Sequence, residues 1–205
     1  MYMQASKISL TDFVDFVTRS GMPKLTKLRQ LKHRGEYNTL RDFYRPLREA
    51  VIRAHESRLG KEHVPEVVAR AWDWTLDKRR RHYDELARAY VGWWGRHRLE
   101  WFEPAWEQLD LGVVAMSVNP ELGLRIDGQP FLVKLYFKEP RLSHKYAEVV
   151  THVMKLALAD QVTPDTVMAV LDIRRRNLHC LRPKDHLGAL VSGEMAALKT
   201  MWSQV

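Results

Sequence analysis

The chain has 205 residues, of which 45% are hydrophobic and 28% charged, and its formal net charge is +8. That length can bury one larger core or two small ones, and no apolar run approaches the roughly 20 residues needed to cross a bilayer, so a membrane span is excluded. Cys180 is the single cysteine, which rules out an intrachain disulfide and a thiolate-rich zinc site within the chain.

The positive balance points to an anionic partner, of which nucleic acid is the commonest. The opening residues, MYMQASKISLTDF, lack the basic region and apolar stretch of a secretory signal, so a cytoplasmic location is expected.

In chain order, Ser9 is placed to cap a helix carrying Asp12 in its first turn and Phe13, Val14 and Val17 on its apolar stripe. Gly21 and Pro23 close it. From Phe16 to Gly35 no acidic residue occurs, while Arg19, Lys24, Lys27, Arg29, Lys32 and Arg34 accumulate. Leu25, Leu28 and Leu31 give that block a helical apolar edge, leaving the cations as a solvated face or as a phosphate-tracking surface. Helical patterning returns from Thr39 to Leu59, with Pro46 as a kink or first-turn residue, again after His63, and from Leu76 to Trp94.

Trp72, Trp74, Trp93, Trp94, Trp101 and Trp106 lie among Arg96, His97 and Arg98. Such a set reads either as a helix-packing core or as a groove on which bases stack. A helical half is therefore expected over residues 1–110, with strands only beyond it.

The second half, 111–205, opens with an apolar run from Gly112 to Val118, broken by Asn119-Pro120. Apolar residues then alternate on both sides of Asp127-Gly128: Leu122, Leu124 and Ile126 before it, Phe131, Val133, Leu135 and Phe137 after it. This is the signature of a β-hairpin, and with the preceding strand it predicts a three-stranded meander. Ser143 can cap a crossover helix, Thr166 to Ile173 reads as a strand, Leu178 to Leu181 as another, and Asp185 to Trp202 as a closing helix. Arg174, Arg175 and Arg176 fall in the turn between the last two strands. The fold class is α+β.

No glycine-rich phosphate loop, HExxH or GxSxG motif occurs, and neither Glu148 with His152 nor His179 with His186 has convincing metal-ligand spacing. On the third strand Leu132, Lys134, Tyr136 and Lys138 share the face opposite Phe131, Val133, Leu135 and Phe137. That face is either solvated or a surface for phosphate.

From Trp106 to Val205, the order of meander, crossover helix and further strand is similar to the core of the PD-(D/E)XK nuclease superfamily. The resemblance implies a divalent-metal site, with Pro120-Glu121 at the first acid and Lys134 or Lys138 at the motif lysine. Two residues before those lysines stand Leu132 and Tyr136, so the motif's second acid is missing. Asp127 reads more economically as a turn residue, and Asp172 either approaches the site or pairs with the nearby arginines.

The expectation is a non-catalytic nucleic-acid-binding protein with a degenerate nuclease-like core and no resident cofactor. Its contacts would come from Arg19, Lys24, Lys27, Arg29, Lys32, Arg34, Lys134, Tyr136, Lys138, Arg174, Arg175 and Arg176. One alternative is an active magnesium-dependent nuclease using Glu121, Asp127 or Asp172 with Lys134 or Lys138. The other is an adaptor whose aromatic surface binds a protein partner within a larger assembly.

Overall fold

The computed structural model describes residues 6–34, 42–70, 77–181 and 186–205, and it is an α+β fold. Strand β1 (Ser6–Ser9) runs straight into α1 (Leu10–Val17). Ser9 ends one and caps the other: its Oγ accepts the Asp12 N–H, and the Asp12 carboxylate accepts the Ser9 N–H in return. Helix α2 (Gly21–Lys32) follows, then α3 (Arg45–Glu56), α4 (His63–Arg70) and α5 (Asp77–Trp94). Pro46 stands in the first turn of α3, where its missing N–H costs no helical bond.

Strands β2 (Leu99–Phe102), β3 (Glu107–Asp110), β4 (Val114–Val118), β5 (Leu122–Ile126) and β6 (Gln129–Tyr136) come next. Helix α6 (His144–Leu158), capped by Ser143, leads to β7 (Val167–Asp172), β8 (Asn177–Cys180) and α7 (Leu187–Gln204). The hairpin turns at Asp127 and Gly128, with φ of 51° and 93°, as a two-residue loop between Ile126 and its partner Gln129.

The expectation that residues before about 110 are helical is corrected, because β1, β2 and β3 all lie there. Each is only four residues long, too short to leave a period in the sequence, and each is held by a partner strand: β1 by distant β4, β2 by β5, and β3 by the β4 that directly follows it. The meander is corrected too. Strand β4 does not pair with β5. It lies between β1, to which it is parallel, and β3 in a three-stranded sheet. The third antiparallel strand beside the hairpin is β2, and the larger sheet has the order β2-β5-β6-β7-β8. Strands β6 and β7 are parallel, joined through α6 as the crossover reading requires.

Both faces of the larger sheet are covered. Leu132, Tyr136, Met168 and Val170 face a core shared with α1, α6 and α7. Val133, Leu135, Phe137, Ala169, Leu171 and Ile173 face a second core shared with α3, α4 and α5. A solvated or phosphate-facing surface at Leu132 and Tyr136 is thereby corrected, since these residues are 0% and 8% exposed. A parallel pair needs helices on both sides, which the period-two pattern alone does not reveal.

Gly123 marks where β2 closes on β5, since a Cβ there would lie 2.4 Å from the Phe102 carbonyl oxygen. Gly123→Ala should therefore lower stability by about 1–3 kcal/mol through forced strand separation. Urea unfolding monitored by circular dichroism measures it, and an unchanged midpoint would refute the close approach. No helix among the described residues is long and apolar enough to cross a membrane.

Candidate functional site

The residues suggested for catalysis do not form one constellation. Glu121 sits just ahead of β5 and opposite Lys134 on β6, and their side chains meet at 2.7 Å. The second Glu121 oxygen accepts the Leu135 N–H at 2.8 Å, and Lys134 also donates to the Asn119 carbonyl at 2.8 Å. With side-chain exposures of 9% and 12%, this pair ties the entry of β5 to the middle of β6.

Asp127 lies at the other end of the hairpin, roughly 20 Å from Glu121 along the strand. It accepts from His97 Nδ1 at 2.9 Å and from the Arg98 N–H at 2.8 Å. The bond from His97, seconded by that from Arg98, holds its carboxyl below the usual range. Asp127 is a turn residue that fastens the hairpin to the end of α5. It shares no site with Glu121.

Lys138 lies beyond the end of β6 and reaches Asp15 of α1 at 3.2 Å, with its ammonium 5.8 Å from the Tyr146 ring. Tyr136 is buried against Tyr146, and its hydroxyl donates to the Pro140 carbonyl. Burial first, and the nearby Asp172 second, raise its pKa. Asp172, 1% exposed at the end of β7, accepts from the Leu142 N–H and pairs with Arg175 at 3.3 Å. Of the two roles open to it, the structure selects pairing with an arginine.

The acid-free block is not left unneutralised. Lys27 lies 3.1 Å from Asp12 and 3.6 Å from Asp15, and Arg34 lies 3.1 Å from Asp12. Burial alone would raise the Asp12 pKa, but Lys27 and Arg34 override it and leave the carboxyl below its ordinary value. Lys24 pairs with Glu194 of α7, and Lys32 donates to the carbonyls of Trp202 and Val205. Lys24 and Lys27 are thus structural ties with side chains 16% and 14% exposed. Arg19, whose Nε donates to the Asp15 carbonyl, and Arg29 are exposed.

Arg174 and Arg175 fold back onto the chain between β6 and α6. Arg174 Nε donates to the Phe137 carbonyl and its Nη2 contacts His82, while Arg175 Nη2 donates to the Glu139 carbonyl. Arg176, at φ 52°, packs its guanidinium over Gly92, whose missing side chain makes the room.

The segment Phe137–Pro140 is therefore a junction at the carboxyl ends of the parallel pair. Lys138 engages α1, and two of the three arginines of the β7–β8 turn, Arg174 and Arg175, bond its carbonyls. Through Asp15 the cluster extends to Lys27 and Arg19, and through Asp12 to Arg34. Exposed Arg141 and Lys145 stand beside it at the start of α6, where the helix dipole also favours an anion. Arg141 and Lys145 had no signal in the sequence beyond charge, and only their position next to the junction singles them out.

Of the tryptophans, Trp93 is buried, and Trp94 and Trp101 lie on His55 with ring centroids 4.1 and 6.4 Å away. These belong to the core reading. Trp106 is 66% exposed, and Trp72 and Trp74 lie outside the described residues. Among the described residues no group of three or more His, Cys, Asp or Glu side chains is arranged to hold a metal ion. No protein-family model, curated protein or solved structure matches the chain.

Proposed function

We propose that this chain binds nucleic acid without cleaving it, through phosphate contacts on the cationic edge around Phe137–Pro140. The observation that carries the reading is the convergence of Arg19, Lys27, Arg34, Lys138 and Arg175 from three separate stretches of sequence on one edge of the sheet. Asp12, Asp15 and Asp172 neutralise only part of that charge, and Arg141 and Lys145 add to it. Cations left in excess on one edge release condensed counterions when they meet a phosphate backbone.

The lack of cleavage follows from the side chains at the positions the nuclease resemblance would use. Leu132 is buried and apolar where an acid would stand, and Glu121 is occupied by Lys134 and the Leu135 amide. Of the element order that carried the resemblance, the hairpin β5-β6 and the crossover through α6 to parallel β7 remain, and these support a degenerate nuclease-like core as the origin of this edge.

The test uses the exposed members of the edge and leaves the structural ties alone. In Arg19→Gln/Lys138→Gln, the dependence of log K on log salt for a labelled duplex should flatten by about 0.9 for each phosphate that is no longer neutralised. Parent protein with magnesium or manganese should leave single- and double-stranded DNA and RNA intact. An unchanged affinity and slope would remove this edge from the binding surface, and cleavage that disappears in Lys138→Gln would establish the nuclease alternative. Substituting Lys24, Lys27 and Lys32 does not serve as a binding test, since the thermal midpoint should fall with the loss of their internal partners.

A further inference from the structure

Most cations of the sheet edge already have a carboxylate: Lys27, Arg34, Lys138 and Arg175 each meet one at 3.1–3.3 Å. At the start of α6 that pattern stops. Arg141, His144 and Lys145 are exposed, and among the described residues none of them is ion-paired. The stretch between Glu139 and Glu148 holds no acid.

His179 of β8 completes the group from a second element. It lies opposite Val170 in register, which turns its side chain toward the sheet face covered by α6. Its ring centroid is 6.1 Å from that of His144. Arg141 acts on the same ring: burial lowers the His179 pKa, Asp172 opposes that, and His144 and Arg141 reinforce it. Asn177 Nδ2 stands 2.9 Å from His179 Nε2, and a side-chain amide serves both states of the ring, donating to the neutral form or, turned over, accepting from the protonated one.

The neighbouring carboxylates are committed. Asp172 is 1% exposed and accepts from the Leu142 N–H, the Arg175 N–H and the Arg175 guanidinium. Glu139 acts on His82 of α5, across the sheet. Glu148, one turn along α6 from His144, is not free either. A guanidinium and two imidazoles therefore face one another with their charge uncompensated, and Lys145 stands beside them.

We propose that Arg141, His144 and His179 form a phosphate-binding site that gains affinity as the two imidazoles take up protons. The inference rests on the reading of this edge as a nucleic-acid surface, and it places a backbone phosphodiester in the site. A protonated imidazole adds a charge-assisted N–H donor to those of the guanidinium, and histidine acquires that charge as pH falls through about 6.5. The lowered His179 pKa carries the gain to pH values below that midpoint. A diester keeps its single negative charge throughout this range, whereas a terminal monoester loses its second charge near about pH 6. Diester affinity should climb steadily with acid, and monoester affinity should pass through an optimum.

The test follows the affinity of a labelled duplex without terminal phosphates from about pH 7.5 to about 5.5 at constant ionic strength, with circular dichroism at each pH to verify the fold. Parent affinity should rise about tenfold over this range, because binding draws protons onto the pair. His144→Gln/His179→Gln should lose most of the rise, and Arg141→Gln should weaken binding at every pH. Exposed His144→Gln alone should lose part of the rise without disturbing the Asn177 contact. His63→Gln on α4 should keep the parent's profile, which separates the pair from a general gain of charge. Salt-sensitive duplex binding without pH dependence, or with the parent's pH profile in the double variant, would overturn this site and leave the nucleic-acid reading standing. Absence of salt-sensitive binding at every pH would overturn both. Binding confined to a 5′-phosphorylated duplex, with an optimum near about pH 6, would give the site to a strand end and overturn the diester assignment.

Discussion

Replacing Glu121 with alanine should destabilise the protein by about 2–4 kcal/mol, because it leaves the Lys134 ammonium nearly buried without its counter-ion. The Leu135 N–H loses its acceptor in the same step. The range sits below that of a fully enclosed pair because both side chains keep some exposure to water. Lys134→Met should cost a comparable amount by stranding the carboxylate, whereas the double variant Glu121→Ala/Lys134→Met should recover much of the loss. Urea unfolding of the four proteins gives the coupling directly. Additive losses in the double variant would show that the two side chains act independently, and would reopen a role for Glu121 as a free carboxylate. Loss of any activity in Glu121→Ala carries weight only after its fold has been verified.

Acid should destabilise the protein through His55 by about 3 kcal/mol between pH 6.5 and 4, the free-energy equivalent of that shift. The imidazole is 3% exposed, contacts the Tyr90 hydroxyl through Nε2 and lies against Trp94. Burial pushes its pKa down from 6.5 to about 4. A charge in that aromatic enclosure loses its hydration and meets no carboxylate in return. The unfolded chain takes up the proton near pH 6.5 and the native chain only near 4, so between those values the unfolded state binds more protons. The stabilisation is complete above pH 6.5 and is lost as pH falls toward 4. His55→Leu/Tyr90→Phe removes the titrating group and its partner together. Its unfolding free energy should fall less steeply than the parent's across this window, and parallel pH profiles would sink the assignment. The cause lies where α3, α5 and β2 meet, so amides of these elements should lose hydrogen-exchange protection first.

Local chemistry made several elements legible before any coordinates. Ser9 and Ser143 cap the helices they precede, Pro46 sits in a first turn, and Asp127-Gly128 turns the hairpin. Each depends on residues within a few positions of one another, so spacing carries the information. The α+β class follows from the same periodicities. The core tryptophans were half legible: helical spacing fits Trp93 and Trp94, but nothing in spacing separates them from exposed Trp106.

The sequence by itself therefore determined the hairpin, most of the helices, the crossover and the excess of positive charge. Only the tertiary structure decided which strands are neighbours, and thereby what each charged residue faces. Strand β4 leaves the hairpin for β1, more than a hundred residues earlier, because pairing is settled by mutual burial at long range. Lys24 finds Glu194 across 170 residues, so a block free of acid in sequence is paired in space. Lys138 and Arg175 meet on one short segment for the same reason. A charge pattern along the chain counts cations, and the packing of helices on the sheet assigns their partners.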